Sequence, residues 1–301
     1  MTQQENPMGC CDKTKPKSRV SEQDVREKVR HGYAAIAQTG ALGTATAPKG
    51  GGCCGPTCGG MTADALAGQI GYSAEEIKAL PEGANMGLSC GNPTAIANLK
   101  PGQVVLDLGS GGGFDVFLAG PKVGAAGRVI GVDMTPEMLS KARRNTAGYR
   151  KTTGLDNIEF RLGEIEHLPV ADASVDVVIS NCVINLSPDK PQVWREIARV
   201  LRPGGRVAAS DMALLRLLPA DVAEMVEALV GCIAGAVLLD EYRQMVVAAG
   251  LVDVALRPKP DYVAALADSK DPLYQRIAKS LPKGMTAADF ITSVDVTASK
   301  P

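Results

Sequence analysis

Histidine is almost missing from this sequence: His31 and His167 are the only two among 301 residues. Any site for a soft ion must therefore be built mostly from other side chains. Excess charge of either sign is missing too, with 32 Lys and Arg against 33 Asp and Glu and a net charge of −1. That leaves no electrostatic footprint for nucleic acid or an anionic membrane surface. No apolar run approaches the roughly 20 residues of a membrane span. The first residues are polar and form no hydrophobic signal region, and no internal repeat is visible. Together these absences predict a cytoplasmic chain with no nucleic-acid or membrane partner. Hydrophobic residues make up 45% and charged residues 22%, ordinary for a globular protein. The length allows one large domain or two small ones.

Cysteine, by contrast, is plentiful: Cys10, Cys11, Cys53, Cys54, Cys58, Cys90, Cys182 and Cys232. Where thiols stay reduced, such a set points to metal, metalloid or redox chemistry sooner than to a disulfide framework.

The stretch that organises the chain is Val104-Val105-Leu106-Asp107-Leu108-Gly109-Ser110-Gly111-Gly112-Gly113-Phe114. It reads as a buried strand, a glycine turn and a helix start. Alternating glycines let the backbone turn tightly and approach a ligand, with N–H groups and a helix N-terminus aimed at it. The dinucleotide fingerprint G-x-G-x-x-G fits Gly109 and Gly111, but its third glycine would fall at Phe114. A carboxylate at Asp107 would repel a pyrophosphate and attract a ligand with an ammonium and a sulfonium group. S-adenosylmethionine is such a ligand. The next strand ends in Asp133, 26 residues after Asp107, where an acid suits the two ribose hydroxyls. The cofactor residues expected are Asp107, Gly109, Ser110, Gly111, Gly113, Asp133, Met134, Gly163, Glu164 and Asn181. Of these, Glu164 follows the third strand and would reach the adenine amino group.

Taken in order, residues 1–20 read as a polar arm carrying Cys10 and Cys11. Ser21-Glu22-Gln23-Asp24 looks like a helix start, followed by an apolar stripe of Val25, Val29, Tyr33 and Ile36. Residues 40–60 are glycine-rich and aperiodic, a loop with Cys53, Cys54 and Cys58. Ser73 caps a short helix that ends by Pro81. Asn92-Pro93 fits a cap followed by proline at the first helical position. Strands are expected at 104–108, 128–132, 158–161, 175–180 and 206–210, with helices near 114–120, 136–148 and 190–201. Further helices are expected near 219–232 and 239–249, and last strands at 252–256 and 291–296. Strands separated by helical patterns predict an α/β fold: a doubly wound, mostly parallel seven-stranded sheet of the Rossmann-like type. Residues 1–71 would form an N-terminal arm, helix and Cys/Gly-rich loop. Residues 72–257 would form the core that binds S-adenosylmethionine, and 258–301 a C-terminal segment with the last strand.

Cys182 follows the strand 175–180, on the same rim as Asp107 and Asp133, where such folds bind ligands. It is either a ligand there or a small buried hydrophobe. Cys232 lies in a helical region, where core packing is the simple account. Cys90 sits between glycine-bearing segments, where buried packing is less natural. Cys53-Cys54-x-x-x-Cys58 lacks the second pair that a structural zinc site needs.

At these cysteines the chain resembles the bacterial arsenite S-adenosylmethionine methyltransferases. The resemblance is carried by Leu88-Ser89-Cys90-Gly91-Asn92-Pro93, Leu106-Asp107-Leu108-Gly109-Ser110-Gly111, Gly131-Val132-Asp133-Met134-Thr135-Pro136, Ser180-Asn181-Cys182-Val183-Ile184-Asn185-Leu186 and Gly231-Cys232-Ile233-Ala234-Gly235. It runs from about Tyr72 to about Arg257. It implies that Cys90, Cys182 and Cys232 hold trivalent arsenic as thiolates. It also implies a further cysteine, Cys53 or Cys54, in thiol transfer or redox cycling. The implied activity is methylation of arsenite and methylarsenite by S-adenosylmethionine. The implied partners are arsenite or its thiol conjugates and a thiol reductant such as thioredoxin or glutathione. Thiolates select soft trivalent arsenic, and arsenic so bound has no proton for a general base to remove. Two other readings compete: a methyltransferase of a small organic substrate, and a non-enzymatic protein that binds or senses soft metals or arsenic.

Overall fold

The computed structural model describes residues 21–39, 62–223, 235–260, 263 and 279–301. The cysteines at 10, 11, 53, 54, 58 and 232 lie outside the described residues, as do the arm at 1–20, the loop at 40–60 and most of the helix expected near 219–232.

The sheet holds seven strands in the order β3-β2-β1-β4-β5-β7-β6. They are β1 (Val104–Leu108), β2 (Arg128–Asp133), β3 (Ile158–Leu162), β4 (Val175–Asn181), β5 (Leu201–Leu214), β6 (Val252–Lys259) and β7 (Ile291–Ser299). The first five run parallel. Only β7 is antiparallel to its neighbours, and it lies between β5 and β6. The C-terminal strand is thus built into the same sheet. The order reverses between β1 and β4, which opens a crevice at their carboxyl ends.

Among the described residues, four helices precede the sheet: α1 (Glu22–Thr39), α2 (Ala63–Gln69), α3 (Ala74–Ala79) and α4 (Pro93–Ala97). Between strands come α5 (Phe114–Val123), α6 (Pro136–Thr153) and α7 (Lys190–Val200), followed by α8 (Ala220–Ala223) and α9 (Leu239–Ala248). Local signals explain several boundaries. Ser73 and Glu76 form a reciprocal capping box on α3. Asn92 caps α4 ahead of Pro93 by accepting from Ala95 N–H. Gly154 ends α6 at φ +71°, a geometry that favours glycine.

Alternation along β1 divides the core. Leu106 and Leu108 pack with Trp194, Ile197, Tyr242 and Val246. Val105 packs on the other face with Val116, Phe117, Ala142 and Tyr149. A third cluster joins Val29 of α1 to Cys90, Cys182, Leu186, Met212 and Ile291. This cluster holds α1 beside the crevice.

The strand expected at 206–210 runs on to Leu214. A charged residue at Asp211 suggests a strand end, but Asp211 is 1% exposed. Its carboxylate accepts from Asn185 Nδ2 at 3.0 Å and from Met212 N–H at 2.9 Å. Satisfied in this way, it stays inside the strand while β7 continues to pair as far as Leu214.

Candidate active site

The glycine turn after β1 works because three of its residues take positive φ: Gly109 at +66°, Gly111 at +51° and Gly113 at +92°. A Cβ at Gly109 would also overlap the Val183 side chain. Asp133, at the end of β2, fixes the turn from the side. Its carboxylate accepts from Gly111 N–H at 2.9 Å and Thr135 N–H at 2.8 Å. The Ser110 hydroxyl is buried with no hydrogen-bond partner among the described residues.

This turn is one wall of a cleft of about 1010 Å³, counted out to its open mouth. Among the described residues, Asp107, Asp115, Asp133 and Glu166 line it, against one cation, Arg26. Arg26 is already engaged, with Nε 3.6 Å from Glu164 and 3.5 Å from Glu166. Burial raises the Asp107 carboxyl well above its ordinary range, and the charges of Asp115 and Asp133 push it further. Burial raises Asp115 to about 6, against hydrogen bonds from Tyr72 and Asn181 that pull it down. Asp133 is raised by burial and pulled back by the Thr135 and Gly111 N–H groups. Carboxylates kept from ionising by burial and by one another gain from a cationic ligand. The orphaned Ser110 hydroxyl, the glycine turn and this acidic wall fit S-adenosylmethionine.

The sulfur chemistry stands at the same rim. Cys182 follows β4 with φ +57°, a strained value for a residue with a Cβ. Its N–H is held by Ser210 O at 2.8 Å. Cys90, 2% exposed, is brought to it by the loop before α4. The two expected as separate thiolates are joined as a disulfide, with Cα atoms 6.0 Å apart. Joined in this way, the pair presents no thiolate to a soft ion. The loop geometry that lets the sulfurs bond also lets them converge on one ion. A carboxylate oxygen of Asp211 lies within 4.8 Å of both sulfurs, and burial raises that carboxyl to about 7.

Of the predicted cofactor residues, Asp107, Gly109, Ser110, Gly111, Asp133, Met134, Gly163 and Asn181 line the cleft. Gly113 does not, although its positive φ shapes the turn. Glu164 does not line it either. It faces Arg26, and Glu166 takes the place on the wall. Cys182 lines the cleft and Cys90 stands behind it. Sequence reasoning missed Arg26, Tyr72, Asp115 and Asp211. Asp115 alone left a signal, an acid in the first turn of the helix that the glycine loop opens.

Comparison with known proteins agrees with this geometry. A sequence profile described as "Methyltransferase domain" matches residues 99–250. The crystal structure of an arsenic(III) S-adenosylmethionine methyltransferase from Chlamydomonas reinhardtii superposes with a TM-score of 0.56 at 33% identity, over 78% of this chain and 71% of that one. The chain belongs to the arsenite S-adenosylmethionine methyltransferase family. An arsenite methyltransferase of this family from Halobacterium salinarum is 47% identical over 82% of this chain and 62% of its own length. Another, from Aquipseudomonas alcaligenes, is 44% identical over 52% of this chain and 46% of its own length. The chain thus spans less than two thirds of these two family members.

Proposed function

We propose that this chain methylates trivalent arsenic held by cysteine thiolates, with S-adenosylmethionine as the methyl donor. The observation that carries the reading is that Cys90 and Cys182 meet at the rim of an acidic cleft walled by the Asp107–Gly113 turn. The names of the relatives support it. Asp107 and the turn hold the methionine end of the cofactor, and Asp133 holds the ribose. When bound, the cofactor supplies an electrophilic methyl carbon on a sulfonium.

Reduced Cys90 and Cys182 bind arsenic, with Cys232 as the third thiolate that the family resemblance implies. Thiolates in a pyramid leave the arsenic lone pair free. The chain's part is to aim that lone pair at the methyl carbon, which is catalysis by positioning. Taking up that methyl would cost arsenic two electrons, the methyl's bonding pair staying with the donor's sulfur. Two thiolates closing to a disulfide give those electrons back and leave methylated trivalent arsenic. The Cys90–Cys182 bond is the protein product of that step. A thiol reductant, thioredoxin or glutathione, then reopens it, and Cys53 or Cys54 passes the equivalents on. A reductant of this kind fits a cytoplasmic chain. Among the described residues no helix is long and apolar enough to cross a membrane.

X-ray absorption on the reduced chain loaded with arsenite tests the ligand set. A first shell of sulfur alone is expected. A shell dominated by oxygen or nitrogen would remove the thiolate reading and favour an organic substrate.

A further inference from the structure

Asn181 ends β4, one residue before Cys182, and its side chain lines the cleft. Its carboxamide is nonetheless turned into the protein. The Nδ2 group donates to Gly91 O at 2.8 Å and stands 3.2 Å from Asp115 Oδ2 and 3.3 Å from the Tyr72 hydroxyl. The Oδ1 atom accepts from Cys90 N–H at 3.0 Å and lies 3.7 Å from Cys90 Sγ. A carboxamide has two N–H donors, and both have acceptors inside the protein.

The Cys90–Gly91 segment is gripped from its other side as well. Ser293 Oγ donates to Cys90 O at 2.9 Å, and a Cβ at Gly91 would overlap Ser210. The segment therefore sits against β5 and β7 on one side, and only the Asn181 carboxamide bonds both of its residues from the other. Asp115 anchors the opposite end. It stands in the first turn of α5, is 5% exposed, lines the cleft, and accepts from Tyr72 Oη at 2.7 Å. Tyr72 Oη in turn lies 3.2 Å from Gly91 O. A continuous buried network thus runs from the cleft wall, through Asn181 and Tyr72, to the peptide that carries Cys90.

We infer that Asn181 is a positioning residue for Cys90 that ties the thiol to the state of the cofactor site. A cationic ligand in the cleft favours ionised Asp115, which draws the Asn181 and Tyr72 donors toward itself. The same donors hold Gly91 O, so the Cys90 segment responds. Cofactor and arsenite should then each improve the affinity of the other, because coupling between two sites is reciprocal. The inference rests on the arsenic reading above for its second ligand, but the network itself does not involve arsenic.

The test uses the reduced full chain and sinefungin, an unreactive cationic analogue of the cofactor, with two readouts. In the first, wild type should bind arsenite at least threefold more tightly with sinefungin present. Asn181→Ala should bind arsenite about tenfold more weakly and lose the enhancement. A tenfold loss of sinefungin affinity with the enhancement intact would overturn the inference and make Asn181 a cofactor ligand. The second readout needs no variant and no arsenite: the alkylation rate of Cys90 by iodoacetamide, followed by peptide mass spectrometry. Sinefungin should change that rate at least threefold in wild type, and an unchanged rate overturns the inference even if Asn181→Ala does not fold. If wild type binds no arsenite but its Cys90 rate still responds, the arsenic reading fails and the network stands.

Discussion

At the scale of single residues, the cleft's acids decide what it can hold. Asp107, Asp115 and Asp133 share one small wall, and each is held above its ordinary carboxyl range by burial. A charge-assisted contact is worth about 1.5–3 kcal/mol. Asp107→Ala should therefore weaken S-adenosylmethionine roughly ten- to hundredfold by calorimetry while arsenite binding is nearly kept. The pH dependence follows with a definite sign. Asp115 sits at about 6 against an ordinary 3.8, so the empty folded protein binds this proton more tightly than the unfolded chain does. Its contribution to stability is fullest below 3.8 and is lost as pH rises through about 6. A bound cation reverses the preference. Cofactor affinity should thus tighten as pH rises from 5 to 7, and Asp115→Asn should flatten that part of the calorimetric profile. The Asp107 and Asp133 positions were legible because an acid at a strand end beside a glycine turn has few other uses. Asp115 left only its place in the first turn of α5 as a signal, and Tyr72 left none. Their partners lie 43 residues apart in sequence, and no local pattern encodes that meeting.

At the scale of elements, the β1 turn is set by what surrounds it as much as by its own glycines. Gly131 in β2 has no side chain, and a Cβ there would stand 2.8 Å from Ser110 Cβ and 2.9 Å from Phe160. Gly131→Ala should therefore displace the turn from behind. The expected result is a lower melting temperature, from overpacking of about 1–3 kcal/mol, together with weaker cofactor binding. A fall in stability without any change in binding would mean that the turn is held independently of β2. Strand and helix order was readable from periodicity and caps because β1 and β2 are largely apolar runs that end at Gly109 and Asp133. The length of β5 was not readable. Buried Asp211 is satisfied by Met212 N–H next to it and by Asn185, 26 residues away. The same long-range logic placed Glu166 on the cleft wall where Glu164 was expected. The two alternate along one short segment, and Arg26 of α1 stands within 3.6 Å of Glu164 and 3.5 Å of Glu166.

At the scale of the whole molecule, the fold brings a cofactor cleft and a cysteine pair 92 residues apart in sequence to one edge of one sheet. The convergence of Cys90 and Cys182 was implied by family resemblance, but their bond was not, because a cytoplasmic setting predicts free thiols. That bond gives a further prediction. The oxidised chain should bind S-adenosylmethionine yet take up no arsenite at this pair, and a reductant should restore uptake, as metal analysis of dialysed protein would record. Arsenite uptake unaffected by blocking the reduced pair would move the substrate site elsewhere. The central claim is methyl transfer to thiolate-held arsenic, and its most direct test is transfer of a labelled methyl group by the reduced full chain. Wild type should give labelled methylarsenicals only when arsenite is present. Cys182→Ser, still folded and still binding cofactor, should give none, because a hydroxyl is a hard donor that holds arsenic poorly. Undiminished transfer by a folded Cys182→Ser chain, or no arsenite-dependent label from a wild type that binds cofactor, would contradict the account.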